Sequence, residues 1–268
     1  MLARMNLSLN GKTAFVSGST AGIGFAIARG LAACGTTVAV NGRTEARVDD
    51  AVAAIARELP EARLVGVAAD LATAAGAAAV IAALPQVDVL VNNLGIFEPT
   101  PFEKIDDATW MQFFETNVLS GVRLTRAYLP GMRERNWGRV VFVSSESGLH
   151  IPAEMVHYGV TKTAQIALAR GIAEGLAGTG VTVNSVLPGP TRSEGVELFV
   201  KQMAEHRGVN EAEMEREFFR TARPTSLLER FITPEEVANL VVYVCSPAAS
   251  ATTGAALRVD GGVVRAIP

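Results

Sequence analysis

The chain has 268 residues, a formal net charge of −3, 49% hydrophobic residues and 19% charged residues. This composition predicts a large apolar core, and the slightly negative charge gives no basic field for nucleic acid. Cys34 and Cys245 stand alone, so we expect no disulfide framework and no metal site, which is typical of the cytoplasm. Residues 1–12 lack an apolar signal core, and no uncharged apolar run predicts a membrane span.

Short valine-rich runs alternate with longer alanine-rich stretches along the chain. The short runs predict buried strands and the longer stretches predict helices. We predict strands at 13–16, 37–40, 64–68, 87–91, 140–143 and 181–186, an edge strand at 256–259, and helices at 24–33, 48–59, 72–83, 110–128 and 161–176. This alternation predicts an α/β Rossmann fold of one domain over 1–268, with a doubly wound, mostly parallel sheet and helices on both faces.

Residues 192–230 interrupt this alternation with a long, charged segment. It ends at Thr233-Pro234, where an N-cap threonine and a proline at the first helical position predict a new helix. Apolar residues punctuate the segment, namely Phe199, Met203, Met214, Phe218 and Phe219. A long insertion after a strand predicts a substrate lid, and a pair of solvated surface helices is the alternative.

A glycine-rich loop, Ser17-Gly18-Ser19-Thr20-Ala21-Gly22-Ile23-Gly24, joins the first predicted strand to the first predicted helix. Glycines let the backbone turn tightly and approach a pyrophosphate, and the following helix offers free N–H groups and a partial positive charge. The loop therefore predicts dinucleotide binding through Gly18, Ser19, Thr20, Gly22, Ile23 and Gly24. A plain tight turn is the alternative.

The end of the second predicted strand bears on the choice of dinucleotide. An acidic residue there binds the ribose hydroxyls of NAD, whereas this chain has Asn41 and Gly42 followed by Arg43. Because a guanidinium suits a 2′-phosphate, Arg43 favours NADP, and NAD remains possible. Asp70, after the third strand and beside Leu71, is a candidate to contact the adenine edge.

Tyr158 and Lys162 form a YxxxK pair in a chain that has only three tyrosines. On a helix, residues four apart share a face, so the ammonium would lie beside the phenol. A neighbouring positive charge lowers the pKa of a phenol, and such a phenol can exchange protons near neutral pH. The alternative is a surface tyrosine beside a solvated lysine.

Together these motifs resemble the short-chain dehydrogenase/reductase family, from Gly11 to about Gly262. The family's segments occur in the expected order, namely the glycine loop, Asn92-Asn93-Leu94-Gly95, Asn117, Ser144-Ser145, Tyr158 with Lys162, Pro188-Gly189 and Val259-Asp260-Gly261-Gly262. The resemblance implies that Tyr158 is the catalytic acid/base and that Lys162 lowers its pKa and binds the nicotinamide ribose. It further implies that Ser145 binds the substrate carbonyl and that Asn117 supports a water-linked proton relay to the lysine.

The resemblance also implies where the cofactor and other subunits bind. Asn93 and Gly95 would lie beside the cofactor, and Pro188, Gly189, Thr191 and Ser193 would contact its nicotinamide end. The helices at 110–128 and 158–176 would form the contacts of a homotetramer or homodimer. Two departures from the family pattern are Leu94, where alanine is usual, and Ser17, where threonine is usual.

The expected function is an NAD(P)-dependent oxidoreductase that transfers hydride between a nicotinamide cofactor and a small carbonyl or alcohol substrate. A 3-oxoacyl thioester or a small ketone is the expected substrate, on the frequency of that role in the family. A non-catalytic dinucleotide-binding sensor or scaffold protein is the alternative function, because one fold hosts many functions.

Overall fold

The computed structural model describes residues 5–267, and within that range seven parallel strands form one sheet. The strands are β1 (Thr13–Val16), β2 (Thr37–Gly42), β3 (Arg63–Ala68), β4 (Val89–Asn92), β5 (Gly138–Val143), β6 (Val181–Pro188) and β7 (Ala256–Val259). The helices are α1 (Gly22–Ala33), α2 (Glu45–Glu58), α3 (Ala74–Ala83), α4 (Asp107–Phe114), α5 (Ser120–Glu134), α6 (Val156–Glu174), α7 (Glu194–Arg207), α8 (Glu211–Thr221) and α9 (Pro234–Cys245). In α7, the side chains of residues 194, 195, 198, 199, 202, 203 and 206 lie outside the described part.

The strands send alternate side chains into two apolar layers. In β1, Ala14 and Val16 face the layer that contains α1, α2 and α9, and Phe15 faces the layer that contains α3, α5 and α6. In β5, Val141 and Phe142 divide in the same way. Because successive side chains of a strand point to opposite faces, valine-rich runs without polar alternation indicate burial on both sides. The predicted doubly wound α/β fold is confirmed, and every strand pairing in it is parallel.

The strand order β3-β2-β1-β4-β5-β6-β7 reverses direction between β1 and β4. The chain moves outward from β1 to β3, returns to the other side of β1, and then continues outward to β7. The loops that follow β1 and β4 therefore separate at the carboxyl edge of the sheet, at the point where open α/β sheets bind ligands.

The helix predicted over 110–128 is divided in the structure. A π-helical turn over Glu115–Leu119 separates α4 from α5. The wider turn brings the Asn117 side chain to the peptide of Ile96, where Oδ1 accepts from the amide at 2.8 Å and Nδ2 donates to the carbonyl at 3.0 Å. Single π-helical turns occur often at functional sites, and this one fixes Asn117 beside the loop after β4.

The inserted segment contains α7 and α8, which pack against each other. Val200, Ala204, Met214, Phe219 and Phe231 form an apolar cluster of their own. Phe218 packs against this cluster, so the apolar residues of α8 are not a solvated surface. The side chains of Phe199 and Met203, which are two further apolar residues of this segment, lie outside the described part of the structure.

The helix start predicted at Thr233-Pro234 is confirmed. Thr233 Oγ1 accepts from the amide of Glu236 at 3.3 Å, and the Glu236 carboxylate accepts from the amide of Thr233 at 2.8 Å. This reciprocal capping satisfies two N–H groups at the start of α9. Among residues 5–267, no helix combines the length and the apolar character needed to cross a membrane.

Asn41, at the end of β2, ties the glycine loop to β3. Its side chain is buried; Nδ2 donates to the carbonyls of Val67 and Ala69 at 3.0 and 3.2 Å, and Oδ1 accepts from the amide of Gly18 at 3.1 Å. An amide can do this because it carries a donor and an acceptor at one end. The position where an acid would bind NAD is therefore used to hold the loop.

We predict that Asn41→Asp destabilises the fold by about 3 kcal/mol, because a carboxylate oxygen would face the carbonyls of Val67 and Ala69 in a buried site. Urea unfolding at neutral pH measures the change. Asn6→Asp is the matched control, since Asn6 is exposed and an aspartate there still accepts from the amide of Ser8. Equal stabilities of the two variants would contradict this role of Asn41.

Candidate active site

The glycine loop brings the N-terminus of α1 against the end of β1. Gly18 has a φ of +60°, which favours glycine, and a Cβ on Gly24 would lie 2.3 Å from the Gly18 carbonyl oxygen. Such a contact is impossible for any side chain, so Gly24 allows the close approach. Ala21 provides no side-chain cap and the first turn of α1 has no acidic residue, which leaves its N–H groups for an anion.

Asn93 and Ser17 hold this loop from the side of β4. Asn93 Nδ2 donates to the carbonyls of Ser17 and Gly18 at 2.9 and 3.0 Å, and Ser17 Oγ accepts from the amides of Asn93 and Leu94, each at 2.9 Å. The serine thus supplies the hydroxyl that the loop needs in place of threonine. Leu94 packs against the apolar layer of α3, α5 and α6, which accommodates its larger side chain.

Ser19 is held inside the loop rather than facing outward. It is fully buried, its hydroxyl donates to the Val16 carbonyl at 2.7 Å, and it accepts from the amide of Asn41 at 2.9 Å. A cofactor contact of Ser19 would therefore use its peptide group. A Cβ on Gly42 would lie 2.5 Å from Thr20 Cγ2, so the strand end leaves no free space for an acidic side chain.

The other residues predicted to bind the adenosine half follow β2 and β3. The Arg43 side chain is exposed and forms no ion pair or hydrogen bond with the described part of the chain. Asp70 is exposed and accepts from the amide of Ala72 at 3.1 Å. The Leu71 side chain is buried in the core, so any cofactor contact there would use its peptide group.

Helix α6 presents a stripe of polar side chains to the site, formed by Tyr158, Thr161, Lys162 and Gln165. These positions are separated by three, four and seven residues, so they share one face. Lys162 Nζ lies 5.6 Å from the centre of the Tyr158 ring and donates to the Val143 carbonyl at 3.0 Å and to Gln165 Oε1 at 3.1 Å. The predicted pair is thus brought together, and the lysine is buried rather than solvated.

Asn117 meets this stripe from the π-helical turn. Its Nδ2 donates to Thr161 Oγ1 at 3.0 Å, and its main-chain oxygen accepts from Gln165 Nε2 at 2.5 Å. Gln165 therefore bridges Asn117 and Lys162. The sequence analysis did not single out Gln165, although its place on the face of Tyr158 and Lys162, seven and three residues on, was a readable signal.

Ser145 follows β5 and is bonded to a buried carboxylate. Its hydroxyl donates to Glu146 Oε2, which also accepts from the amide of Ser147 at 2.8 Å. Arg223, which follows α8, donates from Nε to Glu146 Oε1 at 3.0 Å and from Nη1 to Glu154 at 3.2 Å. The inserted segment is thus connected to the predicted catalytic serine through the ion pair of Arg223 with Glu146. Arg223 is a second residue that the sequence analysis missed.

The pKa shifts of Tyr158 and Lys162 in the folded chain differ from those that the sequence leads us to expect. Burial raises the pKa of the Tyr158 phenol and the Glu146 carboxylate raises it further, against a hydrogen bond from Ser145 and the charge of Arg223. Burial also lowers the pKa of Lys162 to about 7. Desolvation disfavours the charged form of each group, so the lysine charge that should lower the pKa of Tyr158 is only partly present at neutral pH.

One cavity of about 690 Å³ connects the side of the glycine loop with the side of Ser145 and Tyr158. Ten of the predicted residues line it, namely Ile23, Asn93, Gly95, Ser145, Tyr158, Lys162, Pro188, Gly189, Thr191 and Ser193. The remaining predicted residues do not line it and lie around the glycine loop, the ends of β2 and β3, and the π-helical turn. The inserted segment supplies an apolar wall from Val196, Val200, Met214 and Phe218, and Phe231 just after it continues this wall.

Comparison with known proteins places the chain in a family. Residues 18–264 match the family model described as Enoyl-(Acyl carrier protein) reductase. The chain is 48% identical over 263 residues to the uncharacterized oxidoreductase YvaG of Bacillus subtilis, covering 98% of this chain and 100% of that protein. It is 35% identical over 260 residues to a D-beta-hydroxybutyrate dehydrogenase of Cupriavidus necator, covering 96% and 99%.

A solved structure shows the same likeness in three dimensions. The L-sorbose reductase of Gluconobacter frateurii, in complex with NADPH and L-sorbose, superposes with a TM-score of 0.92 at 29% identity. The match covers 98% of this chain and 100% of that one.

The lowered pKa of Lys162 predicts a pH-dependent stability. Between about pH 7 and 10 the unfolded chain holds a proton that folded Lys162 has lost, so the free energy of unfolding rises with pH. Below pH 7 the lysine is protonated in both states, and the cost of burying its charge destabilises the fold in full. We expect Lys162→Met to lose this gain, which the difference in urea-unfolding free energy between pH 7 and 9 measures. Lys104→Met, on an exposed lysine, should keep the wild-type difference. Equal pH differences in all three proteins would contradict a deprotonated Lys162.

Proposed function

The chain belongs to the short-chain dehydrogenase/reductase family and is an oxidoreductase, and from this premise we propose that it reduces a carbonyl to an alcohol with NADPH, or performs the reverse oxidation. The observation that carries the proposal is the shared cavity. Ile23, Asn93 and Gly95 from the cofactor side and Ser145 and Tyr158 from the catalytic side line it together. A carbonyl group held in this cavity would have a proton donor within reach of its oxygen.

The chain's own residues fit a dinucleotide phosphate. The close approach at Gly24 and the uncapped N-terminus of α1 form a cradle that any Cβ would fill, and they suit a pyrophosphate. The exposed guanidinium of Arg43 suits a 2′-phosphate, and the packing of Thr20 against Gly42 disfavours an acid for NAD. We therefore assign NADP as the cofactor, in line with the NADPH complex of the sorbose reductase. When bound, NADPH supplies the hydride.

We assign Tyr158 as the residue that gives its proton to the carbonyl oxygen. The raised pKa of the phenol keeps this proton in place until a charge develops on the substrate oxygen. Lys162, once protonated, lowers the pKa of the phenol and so eases the transfer. Asn117 would act through the polar stripe of α6, to which it is bonded by Thr161 and Gln165.

We assign Ser145 as the second group on the substrate oxygen. Its hydroxyl proton is donated to Glu146, so a substrate carbonyl must replace the carboxylate as the acceptor if it is to be polarised. The hydrogen bonds to Glu146 from Ser147 and Arg223 keep that carboxylate satisfied during the exchange. This arrangement holds the serine ready without leaving a buried polar group unpaired.

The cavity favours a substrate with an apolar portion. Its wall from the inserted segment is apolar, and the carboxylates of Glu146 and Glu154 that line it are balanced by the guanidinium groups of Arg207 and Arg223. The apolar part of a thioester or a ketone would pack against this wall. We therefore propose a 3-oxoacyl thioester or a small ketone. The non-catalytic sensor or scaffold finds no support, because the donors for proton transfer are present in the cavity.

We propose further that the chain forms one dinucleotide-binding and catalytic domain with a substrate lid at about 192–230. The apolar cluster of α7 and α8 and the ion pairs of Arg223 support a lid that closes as a unit over the cavity. A homotetramer or homodimer would use α5 and α6, as the family resemblance implies. A Cβ on Gly171 of α6 would meet no atom within 4 Å, which leaves room on that face for a neighbouring helix.

We predict that Tyr158→Phe lowers kcat/KM at least about a hundredfold on a panel of 3-oxoacyl thioesters, ketones and sugars, because the proton donor is lost. NADPH binding, followed by fluorescence titration, should remain. Tyr243→Phe, on a half-buried tyrosine of α9 outside the cavity, is the control and should keep full activity. Undiminished turnover by Tyr158→Phe would refute the assignment.

We predict that Arg43→Ala weakens NADPH binding about tenfold or more and NADH binding less than twofold, because only NADPH carries the phosphate that the guanidinium would bind. Fluorescence titration with each cofactor measures the two dissociation constants. Arg57→Ala, at the other end of α2, is the matched control and should change neither constant. Equal weakening of both cofactors would remove the argument for NADP.

A further inference from the structure

Gln165 is the most buried polar contact of Lys162 and belongs to no part of the family motif. Its side chain is 1% exposed and lies one turn after the lysine on α6. Oε1 accepts from Lys162 Nζ at 3.1 Å, and Nε2 donates to the main-chain oxygen of Asn117 at 2.5 Å. The amide thus spans the gap between two residues that the resemblance joins through water.

We propose that Gln165 is a positioning residue for proton transfer, whose side-chain amide takes the place of the relay water and clamps the Lys162 amine to the Asn117 backbone. This inference rests on the proposed function. It makes the relay of this chain different from the one that the family resemblance implies, because Gln165 already bonds both the Asn117 peptide oxygen and the Lys162 amine.

The orientation of the amide is fixed by its two partners. Asn117 is anchored by its side chain to Ile96 and Thr161, so its peptide oxygen has a defined direction. Reversing the amide of Gln165 would place its NH₂ group against the lysine ammonium and its oxygen against the Asn117 carbonyl. The observed arrangement is therefore the one that supports a protonated Lys162.

The clamp has a consequence for the route of the proton. A water or a hydroxyl passes a proton on by accepting one and releasing another, whereas an amide has no O–H to release. Because Gln165 cannot relay a proton, we expect Lys162 to regain its proton from the side of the cavity, which it lines. Among the side chains that the structure describes, the titratable ones that line this cavity are Tyr158, Lys162, Glu146, Glu154, Arg207 and Arg223.

Two variants of Gln165 separate a positioning role from simple packing. Gln165→Met keeps the length of the side chain but removes the acceptor that favours a charged Lys162, so it should lower the pKa of Lys162. Gln165→Glu keeps the acceptor and adds a negative charge, so it should raise that pKa. Reduction needs a protonated Lys162, and we expect the alkaline fall of kcat to move by about one pH unit, to lower pH in the first variant and to higher pH in the second. KM should change little.

At a fixed pH on this alkaline limb, a displacement of one unit is a change in kcat of about tenfold in each direction. Gln112→Met, on an exposed glutamine of α4, is the matched control and should keep the wild-type profile. If Gln165 only fills space, Gln165→Met will lose thermal stability while its pH profile coincides with that of the wild type, and the proposal is overturned.

A second measurement does not depend on turnover. The pH window in which Lys162 stabilises the cofactor-free protein should move in the same directions in the two variants, as read from urea unfolding between pH 6 and 10. If the wild type shows no turnover but the pH window of stability shifts in both variants as expected, the proposed function is refuted and the contact of Gln165 with Lys162 is retained. Activity in the wild type with no displacement in either variant would refute the clamp alone.

Discussion

The site depends on the burial of one amine, that of Lys162, to which no carboxylate among the described side chains is bonded. Lys162 is held by the Val143 carbonyl and the Gln165 amide, which are neutral acceptors, and burial lowers its pKa to about 7. A carboxylate partner would fix the positive charge permanently, whereas neutral acceptors leave the amine able to gain or lose a proton near neutral pH. The same burial raises the pKa of Tyr158. Proton exchange within the pair is thus tuned by desolvation before any ligand enters.

The fold provides this buried site by bringing several elements to the carboxyl edge of the sheet. Val143 ends β5, the π-helical turn supplies Asn117, and α6 supplies the stripe of polar groups. The charges of the Glu146–Arg223 ion pair lie beyond Ser145. Glu146 accepts hydrogen bonds from both Ser145 and Arg223. Breaking such a buried pair leaves an uncompensated charge, so the position of the inserted segment and the electrostatics of the serine are coupled.

Much of this arrangement was predictable from the sequence. The strands follow from short valine-rich runs, the glycine loop from the spacing of its glycines, and the face shared by Tyr158 and Lys162 from the helical period of 3.6 residues. All three are local properties of the chain. The start of α9 was readable from Thr233-Pro234 for the same reason. The division of the helix over 110–128 was not predictable, since it accompanies the contact of Asn117 with Ile96, a residue of another loop.

The sequence by itself determined which chemical groups are present, their order, and the face on which neighbouring groups of one helix lie. Only the tertiary structure decided the environment of these groups. The direction of the pKa shifts, the occupation of the Asn117 oxygen by Gln165, and the contact of Arg223 with Glu146 all join residues that are distant in the chain. A pKa depends on desolvation and on charges within a few ångströms, and neither can be read from spacing along one helix.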